Sequence, residues 1–366
     1  MRIATFNLEN LFSRPVSMNY PDNATGLPVL NDFHRLNTLL RQTVYTDKVK
    51  REIEALDDKY ALTDHSADHE QIILREIRGQ LWQRSESGTR TWLAKGAGDF
   101  LGWGELVRET IDDRAIDNTA LVLAAVAADI QVLVEVEDRV TLQRFHDDLL
   151  VPKLQERGRE PFRHVLLMDG NDSRGIDVAL LSRVPVESMK THVELCNAAG
   201  NPLFSRDCAR FVCTLPGRAP LVILANHFTS QGSDRYGKRR KEQAAGVAGL
   251  VDAALAITPH VIVAGDLNEA PEKGHLAALL GHPQLKDAMS LDAYPEKGKY
   301  PGTYRSGSKT NKLDYLLLSQ ALQGKVRAVG VERRGYRSSK WKPFASVTNA
   351  REQASDHHCV WVDLDL

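Results

Sequence analysis

The chain reads as an α/β protein in which mixed sheets are covered by outer helices. Nine apolar runs of strand length recur along it, rich in Val, Ile and Leu. Some follow one another closely and others are separated by helical stretches, which argues against a plain βαβ repeat. With 366 residues, 42% of them hydrophobic, the chain can bury a large two-sheet core.

The strands are expected at Arg2 to Phe6, Ile130 to Val136, His164 to Met168, Ile176 to Leu181, Ala209 to Leu215, Leu221 to Ala225, His260 to Ala264, Leu313 to Leu318 and His358 to Leu364. Helices are expected at Thr119 to Ala128, capped by Asn118 or Thr119, and at about Asp234 to Leu255. Between the first strand and the first of these helices, Ser13 to Asn118 reads as a partly helical insertion in a single domain spanning 1–366. Ile73, Ile77 and Leu81 recur at four-residue spacing there, which suggests a helix. Its polar stretches leave it little core of its own, and Asp57 to His69 reads as an exposed loop. The insertion also carries Trp82, Trp92 and Trp103; Trp92 and Trp103 are either core or a stacking rim for bases.

Composition narrows the function. A net charge of −1 gives no global field toward nucleic acid or membrane, so any polyanion must meet a local patch. Four cysteines without a Cys-x-x-Cys pair suit a reducing, cytoplasmic setting. No apolar run approaches a membrane span, and the N-terminus reads as a strand instead of a signal peptide.

The strand ends are the unusual feature. "HVIVAGDLNEAP" is apolar until Gly265, then presents Asp266 and Asn268, two positions apart and so on one face of an extended chain. The pattern recurs at Asn7 and Glu9, at Glu135, at Asn226 and His227, at Asp314, and at Asp356 and His357. One unpaired buried carboxylate costs on the order of several kcal/mol, so a collection of them implies a shared cation. Carboxylate and amide oxygens are hard donors suited to Mg²⁺ or Mn²⁺, and two histidines can move protons near neutral pH. Such a set suits metal-assisted attack of water on a phosphorus ester.

In that order, Asn-x-Glu, a strand-end Glu, Asn-His, Gly-Asp-x-Asn, Leu-Asp-Tyr and Ser-Asp-His, the motifs resemble the endonuclease/exonuclease/phosphatase superfamily. The resemblance covers Met1 to Phe12 and about Thr119 to Leu366, and implies a four-layer α/β sandwich of two mixed sheets with helices outside. It implies that Glu135 is the principal metal ligand, with Asn7 close to metal or phosphate and Glu9 and Asp356 completing the metal site. It makes Asp266 and Asn268 the pair that orients or activates water, His357 the histidine beside the scissile phosphate, and Asp314 its carboxylate partner. His227 then contacts phosphate and can protonate the leaving oxygen; the base is either His357 or Asp266.

Each residue alone has a plainer reading. Asp266 would be a turn residue, Glu135 an edge ion pair and His357 a packed histidine, but turn chemistry does not produce six ordered motifs. Arg174 and Asn226 are taken as substrate-binding residues. Asp177 is expected to steer Arg174 or His227, or else to form a structural ion pair. Arg206 is expected to face the phosphate, with a surface arginine as the alternative. The run Lys238 to Lys241 lies early in a helix, where the dipole disfavours cations, and is either a phosphate-contacting rim or a solvated face.

A phosphodiesterase, and within that class a nuclease, is the expected function, acting on nucleic acid or another phosphodiester. A phosphomonoesterase for a small phosphorylated compound is the alternative. A catalytically silent binding module would need a broken constellation, and none is broken here.

Overall fold

The computed structural model describes residues 1–9, 11, 13–18, 23–64, 69–85, 88–172 and 174–366. Phe12, at the edge of the motif-bearing N-terminal segment, lies outside the described residues. The chain divides into two compact units, one of Met1–Phe12 with Ile111–Leu366 and the other of Ser13–Thr110.

The larger unit contains two six-stranded sheets. The first runs Val326–Glu332, Cys359–Leu364, Arg2–Asn7, Ile130–Val136, Asp177–Ser182 and His164–Met168. The second runs Val186–Lys190, Cys208–Cys213, Leu221–His227, His260–Asp266, Asp314–Ser319 and Leu285–Asp287. Each sheet has one parallel pair near its centre, Arg2–Asn7 with Ile130–Val136 and Leu221–His227 with His260–Asp266. Their remaining pairings are antiparallel.

Side-chain alternation builds the layers. Ile3, Ile130, Val132, Ile223, Ala225, Ile262, Ala264, Leu316 and Val360 fill the core between the sheets. The alternate residues Ala4, Phe6, Leu133 and Leu181 pack under the helix Asp113–Val126. On the other side Val222, Leu224, Val261, Val263 and Leu317 pack under the helix Lys238–Leu255. Burying each large aliphatic side chain contributes roughly 1.5–3 kcal/mol. The order helix, sheet, sheet, helix is the expected four-layer sandwich.

Several boundaries differ from the sequence reading. The first outer helix starts at Asp113, because Asp112 Oδ1 accepts the N–H of Arg114 at 2.8 Å; the Ala/Leu/Val run from Thr119 is only its interior. The second starts at Lys238 after Gly237, whose φ of +67° places it in the left-handed region. The strands Val186–Lys190, Leu285–Asp287 and Val326–Glu332 were not anticipated; they are edge strands, too short or too exposed to show an apolar pattern.

The smaller unit has a core of its own, made of Phe33, Leu36, Leu40, Ile53, Leu56, Leu74, Leu81, Trp82 and Phe100. Its helices are Asn23–Leu40 and Asp47–Tyr60, the latter capped by Thr46. Ile73 and Ile77, read as helical, lie on the strand Ile72–Arg78, which pairs with Leu101–Leu106. Asp57, read as the start of an exposed loop, is in the last turn of a helix with its side chain fully buried between Arg84 and Arg90. Residues 65–68 of that expected loop lie outside the described residues. Trp92 is spent in packing: its indole N–H donates to Glu54 and its ring meets Trp82 edge-on, centroids 4.7 Å apart. Trp103 is 43% exposed.

Candidate active site

The inward-facing rows of both sheets end in polar residues. Asn7 continues the row of Ile3, His227 that of Ile223 and Ala225, and Asp266 that of Ile262 and Ala264; Asp314 precedes Leu316 in its own row. Glu135 joins them differently. Val134 pairs with Val178 and Val136 with Asp177, so Glu135 is the extra residue of a β-bulge, with φ of +64°. Without the bulge, alternation would send it to the helix side with Leu133. Glu9 and Asn268 are also left-handed, at φ of +55° and +52°. Three of the predicted site residues thus sit in backbone that costs a non-glycine residue on the order of 1 kcal/mol or more. Gly265 is required by closeness: a Cβ there would lie 1.9 Å from the carbonyl oxygen of Asn226.

Asn7 ties the two sheets. Its Nδ2 donates to Glu135 Oε1 at 3.3 Å and to Asp266 Oδ2 at 3.1 Å, while its Oδ1 accepts the N–H of Glu9 at 2.9 Å. Asn268 clamps Asp266 with its backbone N–H at 2.8 Å and its Nδ2 at 3.2 Å. Asp266 is buried, and burial first, then the nearby Asp314 carboxylate, pushes its pKa up to about 7 against the opposing pull of His357.

His357 Nδ1 is 2.9 Å from Asp314 Oδ2, and its Nε2 is 3.8 Å from Asp266 Oδ2. Burial disfavours the charged ring, but the carboxylates of Asp314 and Asp266 outweigh it and hold its pKa well above the ordinary histidine value. His227 behaves oppositely. Burial and the Arg206 guanidinium hold it well below the ordinary value, so it is neutral. Its Nε2 stands 3.7 Å from Glu135 Oε1 and 3.8 Å from Asp266 Oδ2, beyond hydrogen-bond reach, and its buried Nδ1 has no hydrogen-bond partner among the described residues.

Glu9 and Asp356 meet each other: Asp356 donates its N–H to Glu9 Oε2 at 2.9 Å. The Asp356 carboxylate also lies 3.4 Å from Arg305 Nε, near the Tyr304 hydroxyl, and 3.9 Å from His357 Nε2.

Arg174 grips Asp172 through two hydrogen bonds of 2.8 and 2.6 Å, and Arg206 Nε is 2.9 Å from the same carboxylate. Burial disfavours ionised Asp172, yet the two guanidiniums hold its pKa far below the usual carboxylate range. Both arginines feel Glu135, and Arg206 also feels Asp266, which sets them beside the site. The surface alternative for Arg206 is therefore wrong; its side chain is 5% exposed.

Three other expectations are corrected. Asn226 shares its face with Val222 and Leu224, under the helix layer; its Nδ2 donates to Leu224 O at 2.9 Å, so it does not join the substrate side. Asp177 steers neither Arg174 nor His227 and forms no ion pair among the described residues. Its Oδ1 accepts the N–H of Gly170 at 2.8 Å, and burial beside Asp169, Asp172 and Asp207 pushes its pKa up to about 7. In the basic run, Arg240 is buried with its Nε on Glu269, so that charge is a structural tie and not a solvated or rim group.

The sequence reading missed Thr303 and the role of Ser355. Thr303 donates to Asp314 Oδ2 at 2.7 Å and accepts that residue's N–H, which fixes the carboxylate facing His357. Ser355 donates to Asn7 O at 2.8 Å and accepts the N–H of His357, joining two motifs far apart in sequence. Ser355 stood within a quoted motif; Thr303 lay in a loop without periodicity.

The donors suit a hard cation. Asp266, Asp314 and His357 offer ligand atoms within 4.8 Å of one another. The His357–Asp314 hydrogen bond already commits that pair to a proton, and Glu135, reached by the same Asn7 Nδ2 as Asp266, is a further carboxylate beside them. Asp314 Oδ1 is also buried without a hydrogen-bond partner among the described residues.

No curated protein matches the chain. Among solved structures, truncated TDP2 of Caenorhabditis elegans is 20% identical with a TM-score of 0.46, over 68% of this chain and 89% of that one. The catalytic domain of human Nocturnin is 15% identical with a TM-score of 0.47, over 68% and 84%. A mannosyl-6-phosphatase of Bacteroides thetaiotaomicron is 15% identical with a TM-score of 0.45, over 69% and 91%. The family model Endonuclease/Exonuclease/phosphatase matches residues 104–357. That match leaves Asn7 and Glu9 outside it but takes in every other predicted site residue, and it spans well over half the chain, which therefore belongs to the Endonuclease/Exonuclease/phosphatase family of phosphoesterases.

Proposed function

We propose that the protein hydrolyses phosphodiesters by in-line attack of water, with Mg²⁺ or Mn²⁺ held at Glu135 and with Asn7, Glu9 and Asp356 completing its site. The observation that carries this reading is the chain Asp314–His357–Asp266, which sets a charged imidazole 3.8 Å from a buried carboxylate of raised pKa. Asp266, clamped by Asn7 and Asn268, takes the proton of the attacking water; a pKa near neutral is well matched to that task. His357, kept charged by Asp314, donates to a phosphate oxygen and offsets the negative charge that develops there. Neutral His227 can hydrogen-bond to phosphate but is poorly suited to protonate the leaving oxygen. The cation, when bound, supplies Lewis-acid polarisation of the phosphate and lowers the pKa of bound water. Arg174 and Arg206, less the charge of Asp172, leave a single positive charge beside the site, which suits the single charge of a diester.

The test is turnover of bis-p-nitrophenyl phosphate against p-nitrophenyl phosphate. Chelation should abolish diester hydrolysis and Mg²⁺ or Mn²⁺ should restore it. Full activity in chelator would remove the metal, and a strong preference for the monoester would turn the assignment to a phosphomonoesterase. A reducing compartment such as the cytoplasm suits the four free cysteines.

A further inference from the structure

The segment Arg333 to Lys342, "RRGYRSSKWK", carries five cations and two aromatics in ten residues and no acid. Arg333 is buried and Arg334 is paired with Glu332. Arg337, Lys340 and Lys342 are exposed and have no carboxylate partner among the described residues. The segment is built onto the catalytic side of the larger unit. Lys340 Nζ donates to Ser306 O at 3.0 Å, and the Tyr300 hydroxyl donates to Lys340 O at 2.7 Å. The rings of Tyr336 and Trp341 both meet His358, centroids 5.6 and 5.3 Å away, next to His357. His358 Nε2 in turn lies 3.0 Å from the carbonyl of Arg305, whose guanidinium reaches Asp356. The Tyr336 hydroxyl feels Arg305, Asp356 and Glu9, so it faces the flank of the active site. Tyr336 and Trp341 are each partly exposed.

We infer that this segment is a binding rim for single-stranded polynucleotide, with Arg337, Lys340 and Lys342 contacting backbone phosphates and Tyr336 and Trp341 offering ring faces to unstacked bases. Unpaired cations interleaved with aromatics are the chemistry that holds a single strand without reading its sequence. The rim also answers the neutral net charge, since the phosphate attraction is local. This deepens the phosphodiesterase reading and rests on it for the location of the scissile bond.

The test is binding of a fluorescently labelled single-stranded oligonucleotide to the full chain in chelator, as a function of salt. A variant carrying Arg337→Gln, Lys340→Gln and Lys342→Gln is compared with a control carrying Arg157→Gln, Arg159→Gln and Lys190→Gln, exposed cations elsewhere. Each phosphate contact contributes about 0.7 to the slope of log affinity against log salt. The rim variant should lose about 2 from that slope and about tenfold or more in affinity at low salt, while the control keeps the wild-type slope. Tyr336→Leu should weaken binding by about fivefold or more with the slope unchanged. Equal losses in both triple variants, no loss in either, or tighter binding to duplex than to single strand would overturn the rim. Hydrolysis of bis-p-nitrophenyl phosphate by the wild type is scored separately. A chain that hydrolyses the diester but does not bind the strand loses the rim alone, and one that binds as stated but hydrolyses nothing loses the enzymatic reading alone.

Discussion

Each unit contains a buried aspartate held by two arginines, and the two clusters do different things. In the smaller unit Asp57 sits between Arg84 and Arg90, and also accepts hydrogen bonds from the N–H and hydroxyl of Thr63. Arg84 is 41% exposed, and Arg90 has a second partner in the exposed Asp58. That cluster staples a helix end to a hairpin. In the larger unit Asp172 holds Arg174 and Arg206, whose side chains are 10% and 5% exposed, and both feel Glu135. Identical side-chain types therefore close a fold in one place and set charge beside the candidate active site in the other. The difference lies in what the arginines face, which no inventory of residues reveals.

The sharpest way to break this comparison is catalytic. His357→Ala and Asp266→Asn should each lower kcat by about 10²–10⁴-fold, while Asp57→Asn should leave kcat of the folded protein where it is. Steady-state rates on bis-p-nitrophenyl phosphate decide it; a comparable loss in Asp57→Asn would mean the smaller cluster is not merely structural.

Next in size is stability. Asp172→Asn leaves two deeply buried guanidiniums without their counter-charge and should cost about 3–5 kcal/mol. Asp57→Asn should cost less, about 1–3 kcal/mol, because Arg84 can turn to water. Denaturant melts measure both. Equal costs would show that exposure of the arginines does not govern the penalty.

Asp177 sharpens the contrast, because it lies near Asp172 but has no cation of its own among the described residues. Its folded pKa of about 7 exceeds the unfolded value of about 3.9, so the folded state binds more protons between those limits. Its contribution to stability is full below about pH 4 and is lost as pH rises through about 7. Asp177→Asn keeps an oxygen for the N–H of Gly170 and removes the charge. It should stabilise the protein by on the order of 2 kcal/mol at pH 8 and by almost nothing at pH 4. Melting temperatures at the two pH values are the readout, and a gain of equal size at both would contradict a titration effect.

The smallest effect belongs to the smaller unit. Trp103→Ala should change stability by less than about 0.5 kcal/mol, since the ring is exposed. A large loss would show that it packs in solution.

Much of this was readable beforehand, for particular reasons. Asp266, His227 and Asp314 follow the parity of apolar strands, so their convergence between the sheets could be read from alternation. Asn226 obeyed the same rule and was misjudged by being grouped with His227, although neighbours on a strand point to opposite faces. Glu135 stood out as a carboxylate ending an apolar strand, but alternation would have put it on the wrong face, because a bulge moves it across the sheet. Ile73, Ile77 and Leu81 misled because a short run fits either period once two of its members are not core. Glu269, the carboxylate on Arg240, and Arg84 and Arg90, the cations on Asp57, lie 27 to 33 residues away, beyond any local pattern.

The left-handed backbone at Glu9, Glu135 and Asn268 has a consequence for laboratory evolution. Glycine tolerates those torsions, so Glu135→Gly would relieve local strain while deleting the carboxylate. A library screened only for heat resistance would drift toward glycine at these corners and enrich inert variants. Each round of such a screen has to be paired with an assay of turnover, or the scaffold improves while its chemistry disappears.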